Sequence, residues 1–195
     1  MRKRRMVLLV LLFLLVAASG RAQEKGQAGI SMGYPASIGF VWHLSDTFAL
    51  RPDFAVSGSS TENSPSGSKS DNRAFAVGIG AIFYTGKWEN LRAYVSPRFS
   101  YSRTTGSSSS STTLSTGQSV STAGSNAANG YSANGLVGGQ YSLSGRFSVF
   151  AEVGFGFTRN KTTATNTISA FGTSSNRATS NSWGTRAGVG AIIYF

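Results

Sequence analysis

The side chains able to do chemistry are few in this chain of 195 residues, and most familiar reactions fall away with them. Its one histidine, His43, is the sole imidazole available to a catalytic triad or a nitrogen-ligated metal. The absence of cysteine removes thiolate nucleophiles, thiolate zinc sites, disulfides and a lipidated N-terminal cysteine. His43 stands beside Trp42 with no acid that the spacing fixes against it, so no catalysis, metal or cofactor is expected there. The Gly-x-Gly pairs fall inside extended runs and none opens a helix, which leaves no phosphate cradle. What remains is charge, in two settings. Arg51, Asp53, Arg98, Glu152 and Arg186 sit at mid-run in strand-like segments, where an unpaired buried charge is costly, so they are expected to pair with one another. Lys69, Arg73, Arg103, Arg159, Lys161 and Arg177 lie on or beside polar stretches, opposed only by Glu62 and Asp71. That excess of cations suits either phosphate binding or ordinary solubility.

The N-terminus bears on how much of this charge survives in the mature protein. Arg2, Lys3, Arg4 and Arg5 form a positive segment, 6–18 is unbroken apolar sequence, and Gly20-Arg21-Ala22 offers small residues where a signal peptidase reads them. Residues 1–22 are therefore expected to be a cleaved signal peptide, since the apolar run falls short of the roughly 20 residues a spanning helix needs. Five of the 18 basic residues leave with it and all seven acids stay, so 13 cations against seven anions leave +6 on 23–195. Most of the case for a nucleic-acid partner goes with them. An exported chain without cysteine points to a bacterial envelope, where Asn160-Lys161-Thr162 is a chance match to a glycosylation acceptor.

The elements that must position these charges are strands. Phe75, Val77, Ile79, Ala81 and Phe83 alternate with Ala76, Gly78, Gly80 and Ile82, and the same period of two runs through 147–158 and 183–195. The connections alternate in length: Ser45-Asp46, 86–90 and 143–145 are short, whereas 60–71, 106–129 and 161–180 are long and rich in Ser, Thr, Asn and Gly. The serine run at 107–111 could link two domains, but because strands of the same type resume after it, it is read as a mobile surface loop, and the other long stretches are read as loops. Parity of up and down runs adds a first hairpin and gives eight strands, near 27–34, 37–44, 47–60, 72–85, 91–104, 130–142, 146–159 and 182–195. The first two are shorter than the 9–11 residues that a membrane strand usually needs. Pro52 and Pro97, each at mid-strand, mark either bulges or strand boundaries other than those given.

Composition decides which face meets what. A soluble ligand-binding barrel also alternates, but its outer face carries many Lys and Glu. Here the less apolar face is Gly, Ala and Ser with scattered charges, which suits a narrow packed interior, and the Phe, Val and Ile face suits hydrocarbon. Tyr84, Tyr141, Tyr194 and Phe195, with Trp42, Phe48, Trp88 and Phe147, fall near the short-turn ends, where an aromatic girdle is expected. Gly78-Ile79-Gly80-Ala81-Ile82-Phe83-Tyr84 is echoed by Gly188-Val189-Gly190-Ala191-Ile192-Ile193-Tyr194.

The ending Gly190-Ala191-Ile192-Ile193-Tyr194-Phe195 resembles the C-terminal signal of Gram-negative outer-membrane proteins. The mature chain resembles the small outer-membrane barrels that include the OmpA transmembrane domain and the opacity-type, porin-like proteins. The resemblance implies an all-β fold, an eight-stranded antiparallel transmembrane barrel over 23–195 with short periplasmic turns and long extracellular loops. It further implies insertion by the barrel assembly machinery, which would read Gly190, Tyr194 and Phe195. An interior ionic cluster of Arg51, Asp53, Arg98, Glu152 and Arg186 is then a gate or a structural plug. The rim cations would meet lipopolysaccharide phosphates of the outer leaflet. The expected role is non-enzymatic, in envelope integrity or slow passage of small solutes, with partner binding through the loops as the alternative and a secreted soluble barrel binding a small apolar ligand as a third reading.

Overall fold

The computed structural model describes residues 25–34, 37–63, 67–113 and 118–195; the expected signal peptide lies outside these residues. The described chain forms eight antiparallel strands: β1 (Ala28–Tyr34), β2 (Ser37–Ser45), β3 (Phe48–Asn63), β4 (Ser68–Trp88), β5 (Leu91–Thr113), β6 (Ser119–Ser142), β7 (Phe147–Ile168) and β8 (Gly172–Tyr194). Each pairs with its neighbours in sequence, and β1 pairs with β8 to close the ring. Closure gives every strand two partners in the lower part of the ring, up to Tyr34↔Val189 and Ile38↔Phe54.

Adjacent residues show which way the barrel faces. Glu152 is 7% exposed while its neighbour Val153 is 60% exposed, and the same alternation separates Arg51 from Phe54 and Tyr94 from Val95. The apolar face is outside. Ile30, Met32, Phe54, Val77, Ile79, Phe99, Val137, Phe155 and Val189 all belong to this belt. At its upper edge aromatic rings meet across strands, Phe75 with Tyr101 at 6.1 Å, Tyr101 with Tyr131 at 5.2 Å and Phe155 with Trp183 at 6.1 Å. At the lower edge Trp42, Trp88, Tyr141 and Phe195 are exposed, and Phe40 packs on Phe195 at 6.2 Å.

Three expectations need correction. Tyr84 and Tyr194 are not part of the girdle, because period two places them inward with Ile82 and Ile192, and both are buried. The polar stretches 60–71, 106–129 and 161–180 are not loose loops where they are described: β5 and β6 stay in register up to Thr113↔Ser119, and β7 and β8 up to Ile168↔Gly172. Ser and Thr lack apolar alternation but accept extended backbone, and hydroxyl pairs such as Thr167 with Thr173, 2.9 Å apart, join the strands. Pro52 and Pro97 mark no bulge. The β2–β3 ladder passes from Gly39↔Asp53 to Trp42↔Leu50, and the β4–β5 ladder from Gly80↔Arg98 to Phe83↔Val95, without change of register. Each proline breaks its ladder on one side only, as expected when a single N–H is missing. The bulges lie instead at the lower ends, between His43 and Ser45 and between Tyr84 and Gly86.

Candidate functional site inside the barrel

The inward positions sort into three levels. At the bottom, facing the short turns, Tyr84 Oη donates to Gln140 Oε1 at 2.9 Å, and Gln140 Nε2 donates to Tyr194 Oη at 2.8 Å. Tyr194 Oη lies 3.2 Å from His43 Nε2. The His43 ring stacks on Tyr84 at 5.5 Å, and the Arg92 guanidinium sits 5.3 Å from the same tyrosine ring. Val41, Ala49, Ile82 and Ile192 fill the space around them. These large side chains, joined through their polar ends, make a densely packed layer. His43 is a member of this layer, and among the described residues no carboxylate is among its hydrogen-bond partners.

The middle level carries the charges. Arg51 Nη2 reaches both carboxylate oxygens of Glu152, at 2.9 and 2.8 Å, and Tyr94 Oη donates to Oε2 at 3.1 Å. Arg98 bridges two acids, with Nη2 at 2.5 Å from Asp53 and Nη1 at 3.6 Å from Glu152. The Arg51 guanidinium also lies 5.1 Å from the Phe150 ring. Four of the five interior charges singled out from the sequence thus form one network. The fifth, Arg186, faces the same interior but stands apart: it is solvent-exposed, donates to Thr158 Oγ1 at 2.9 Å, and forms no ion pair among the described residues. Sequence reasoning missed Tyr94, Phe150 and the Tyr84–Gln140–Tyr194 chain; Tyr94 shares the inward parity of Arg98, which was the available signal.

Above the charges the barrel is hollow. A cavity of about 400 Å³ has Arg51, Asp53, Arg98 and Glu152 on its floor, with Ser100, Ser132, Asn134 and Arg186 on its walls. Its inward positions are small, and a side chain built at Gly184 would meet nothing within 4 Å. The six rim cations all share the outward parity, above the aromatic edge. Arg73 and Arg103 flank Phe75 and Val56, while Arg159, Lys161 and Arg177 gather on β7 and β8. Lys69 stands directly across from Glu62.

No family model and no curated protein matches the sequence. Among solved structures, a major outer membrane protein from Thermus thermophilus superposes with a TM-score of 0.52 at 9% identity, covering 87% of this chain and 98% of that one. The chain shares the fold of that protein. CarO of Acinetobacter baumannii superposes at 0.44 with 12% identity, over 90% of this chain and 100% of that one. Ail, the attachment invasion locus protein of Yersinia pestis, does so at 0.40 with 15% identity, over 88% and 99%. The likeness is one of fold, and the exposed apolar belt is what a membrane-spanning barrel presents to lipid.

Proposed function

We propose that this outer-membrane barrel is a non-enzymatic, non-conducting scaffold of the envelope, exported through a cleaved signal peptide over residues 1–22. One observation carries the reading. The lower half of the interior is filled by Tyr84, Tyr94, Tyr194, Gln140 and His43, capped by the Arg51–Glu152 pair, so the cavity above has a floor instead of an exit. An eight-stranded barrel has room only for side chains or one small ligand, and here the side chains occupy the constriction. The barrel assembly machinery reads Gly190 and Phe195 during insertion, while Tyr194 contributes to the floor. Arg73 with Arg103, and Arg159 with Lys161 and Arg177, hold lipopolysaccharide phosphates at the rim; Lys69, opposed by Glu62, is the least available.

Single-channel recording of the refolded mature chain in a planar bilayer tests this reading. Silence is expected from wild type and from Glu152→Ala, both migrating as heat-modifiable barrels on gels. Discrete openings in the wild type would refute it.

A second reading, partner recognition, is favoured by the polar hairpins of β3–β8, whose ladders run well above the aromatic edge and present a stiff Ser/Thr/Asn wall. Deleting 106–129 is expected to abolish cell-surface binding while leaving the folded barrel intact. Unchanged adhesion in every assay counts against this role.

A further inference from the structure

The ring is closed by all eight strands only in its lower part. The β1–β8 ladder ends at Tyr34↔Val189 and the β2–β3 ladder at Ile38↔Phe54. Above those pairs, β8 continues from Val189 up to Gly172 and β3 continues from Ala55 up to Asn63, and among the described residues these edges have no strand partner, including each other. The first hairpin is simply too short. Seven residues of β1 rise about 23 Å along the strand, and a tilt near 40° reduces that to about 18 Å, against an apolar band of about 25 Å. The notch above the hairpin spans three interstrand spacings of about 4.8 Å. Its flanks are Val56 on one side and Ala187 with Trp183 on the other, and Trp183 belongs to the upper aromatic edge. The notch therefore opens at the depth of the outer leaflet's acyl chains, not above the membrane.

Two features make this opening a site. The interior cavity reaches it, since Tyr34, Ser37, Ala55, Ala187 and Gly188 from the notch line the same space as Asp53, Glu152 and Arg186. Bare strand edges at membrane depth are tolerable only where they border water or polar groups, so the notch cannot be filled by acyl chain alone. On the cavity wall Arg186 supplies a cation with no ion-pair partner among the described residues, and Asn134 Oδ1 and Arg51 Nε are buried with no hydrogen-bond partner. The small inward residues leave space for a headgroup, and the apolar flanks of the notch fit one chain.

We propose that the notch above the β1–β2 hairpin is a lateral doorway through which a single-chain anionic amphiphile of the outer leaflet seats its headgroup on Arg186 while its chain lies between Val56 and Ala187. The closed floor beneath is compatible with this but not required by it, because the ligand enters and leaves on the outer side.

The test is a titration of the refolded mature barrel in neutral detergent micelles with dansyl-undecanoic acid, read by the blue shift of dansyl emission against empty micelles. Wild type is expected to bind saturably, one probe per barrel. Arg186→Gln is expected to weaken binding about tenfold, the value of a lost charge-assisted contact. Ala55→Phe narrows the doorway without touching Arg186 and is expected to weaken it too, whereas Lys87→Gln at the opposite end leaves it unchanged; heat-modifiable migration verifies each fold. Competition by decyl phosphate or by decanoate identifies a phosphate or a carboxylate headgroup. Absence of saturable binding, equal binding by all four proteins, or competition by inorganic phosphate as strong as that by decyl phosphate would each overturn the proposal.

Discussion

The two halves of one barrel interior solve opposite problems with the same strands. Near the short turns, inward positions carry Tyr84, Tyr94, Tyr194, Gln140 and Ile192, and every one is buried. Near the outer end the same strands offer Ala76, Ser100, Ser132 and Gly184, and a cavity is left open. Where all eight strands close the ring, strand number and shear set its radius and side-chain volume decides whether a level is solid or hollow; above the first hairpin the open notch adds to the space. The charged network lies at the boundary. Arg51 and Glu152 are sealed from below by Tyr94 and Phe150, and Arg98 and Asp53 face the cavity. The lower half is built as a packed core, and the upper half as a vessel.

The largest expected effect breaks that boundary. Glu152 accepts from Arg51 and Tyr94 and lies beside Arg98, so Glu152→Ala leaves a buried guanidinium without its counterion. Loss of one partner of such a pair is expected to cost about 3–5 kcal/mol, read as a lower urea midpoint for the folded band on gels. Replacing both charges with Glu152→Leu and Arg51→Met is expected to recover a large part of that loss, since no uncompensated charge remains at the pair. If the single and double variants unfold at the same urea concentration, the network is not what joins the two halves.

Much of this architecture was legible in the chain. Period two in 75–83, 147–158 and 183–195 gave the strands and their faces, and the same parity put Arg51, Asp53, Arg98, Glu152 and Arg186 inside. Which of them touch was not legible, because Arg51 and Glu152 are 101 residues apart and meet across the lumen. Alternation along a strand carries no information on that. Tyr84 and Tyr194 lie at the level of the girdle but share the inward parity of Ile82 and Ile192, and parity decides their place. The hairpins of 106–129 and 161–180 gave no strand signal, because Ser and Thr on both faces remove the contrast on which the period depends. The brevity of the first hairpin was readable from 27–44, but the notch above it emerged only from the register with β3 and β8.

A pair of glycines tests the contrast between halves at a smaller scale. A Cβ on Gly138 would lie 2.5 Å from Cζ and 2.6 Å from Oη of Tyr94, and 2.8 Å from the carbonyl oxygen of Ala151. The tyrosine ring cannot yield without abandoning its bond to Glu152, and the strand carbonyl cannot yield at all, so Gly138→Ala is expected to destabilise by about 1–3 kcal/mol through overpacking. Gly184 has the same inward parity on the upper level, and a Cβ there meets nothing within 4 Å. Its backbone is extended within β8 with no positive φ, so Gly184→Ala is expected to be neutral or to stabilise by about 0.4–1 kcal/mol by restricting the unfolded chain. Urea midpoints of the two variants measure the difference directly. Equal losses at both positions would mean that the upper level is as tightly filled as the lower, and the hollow vessel above the charges would have to be abandoned.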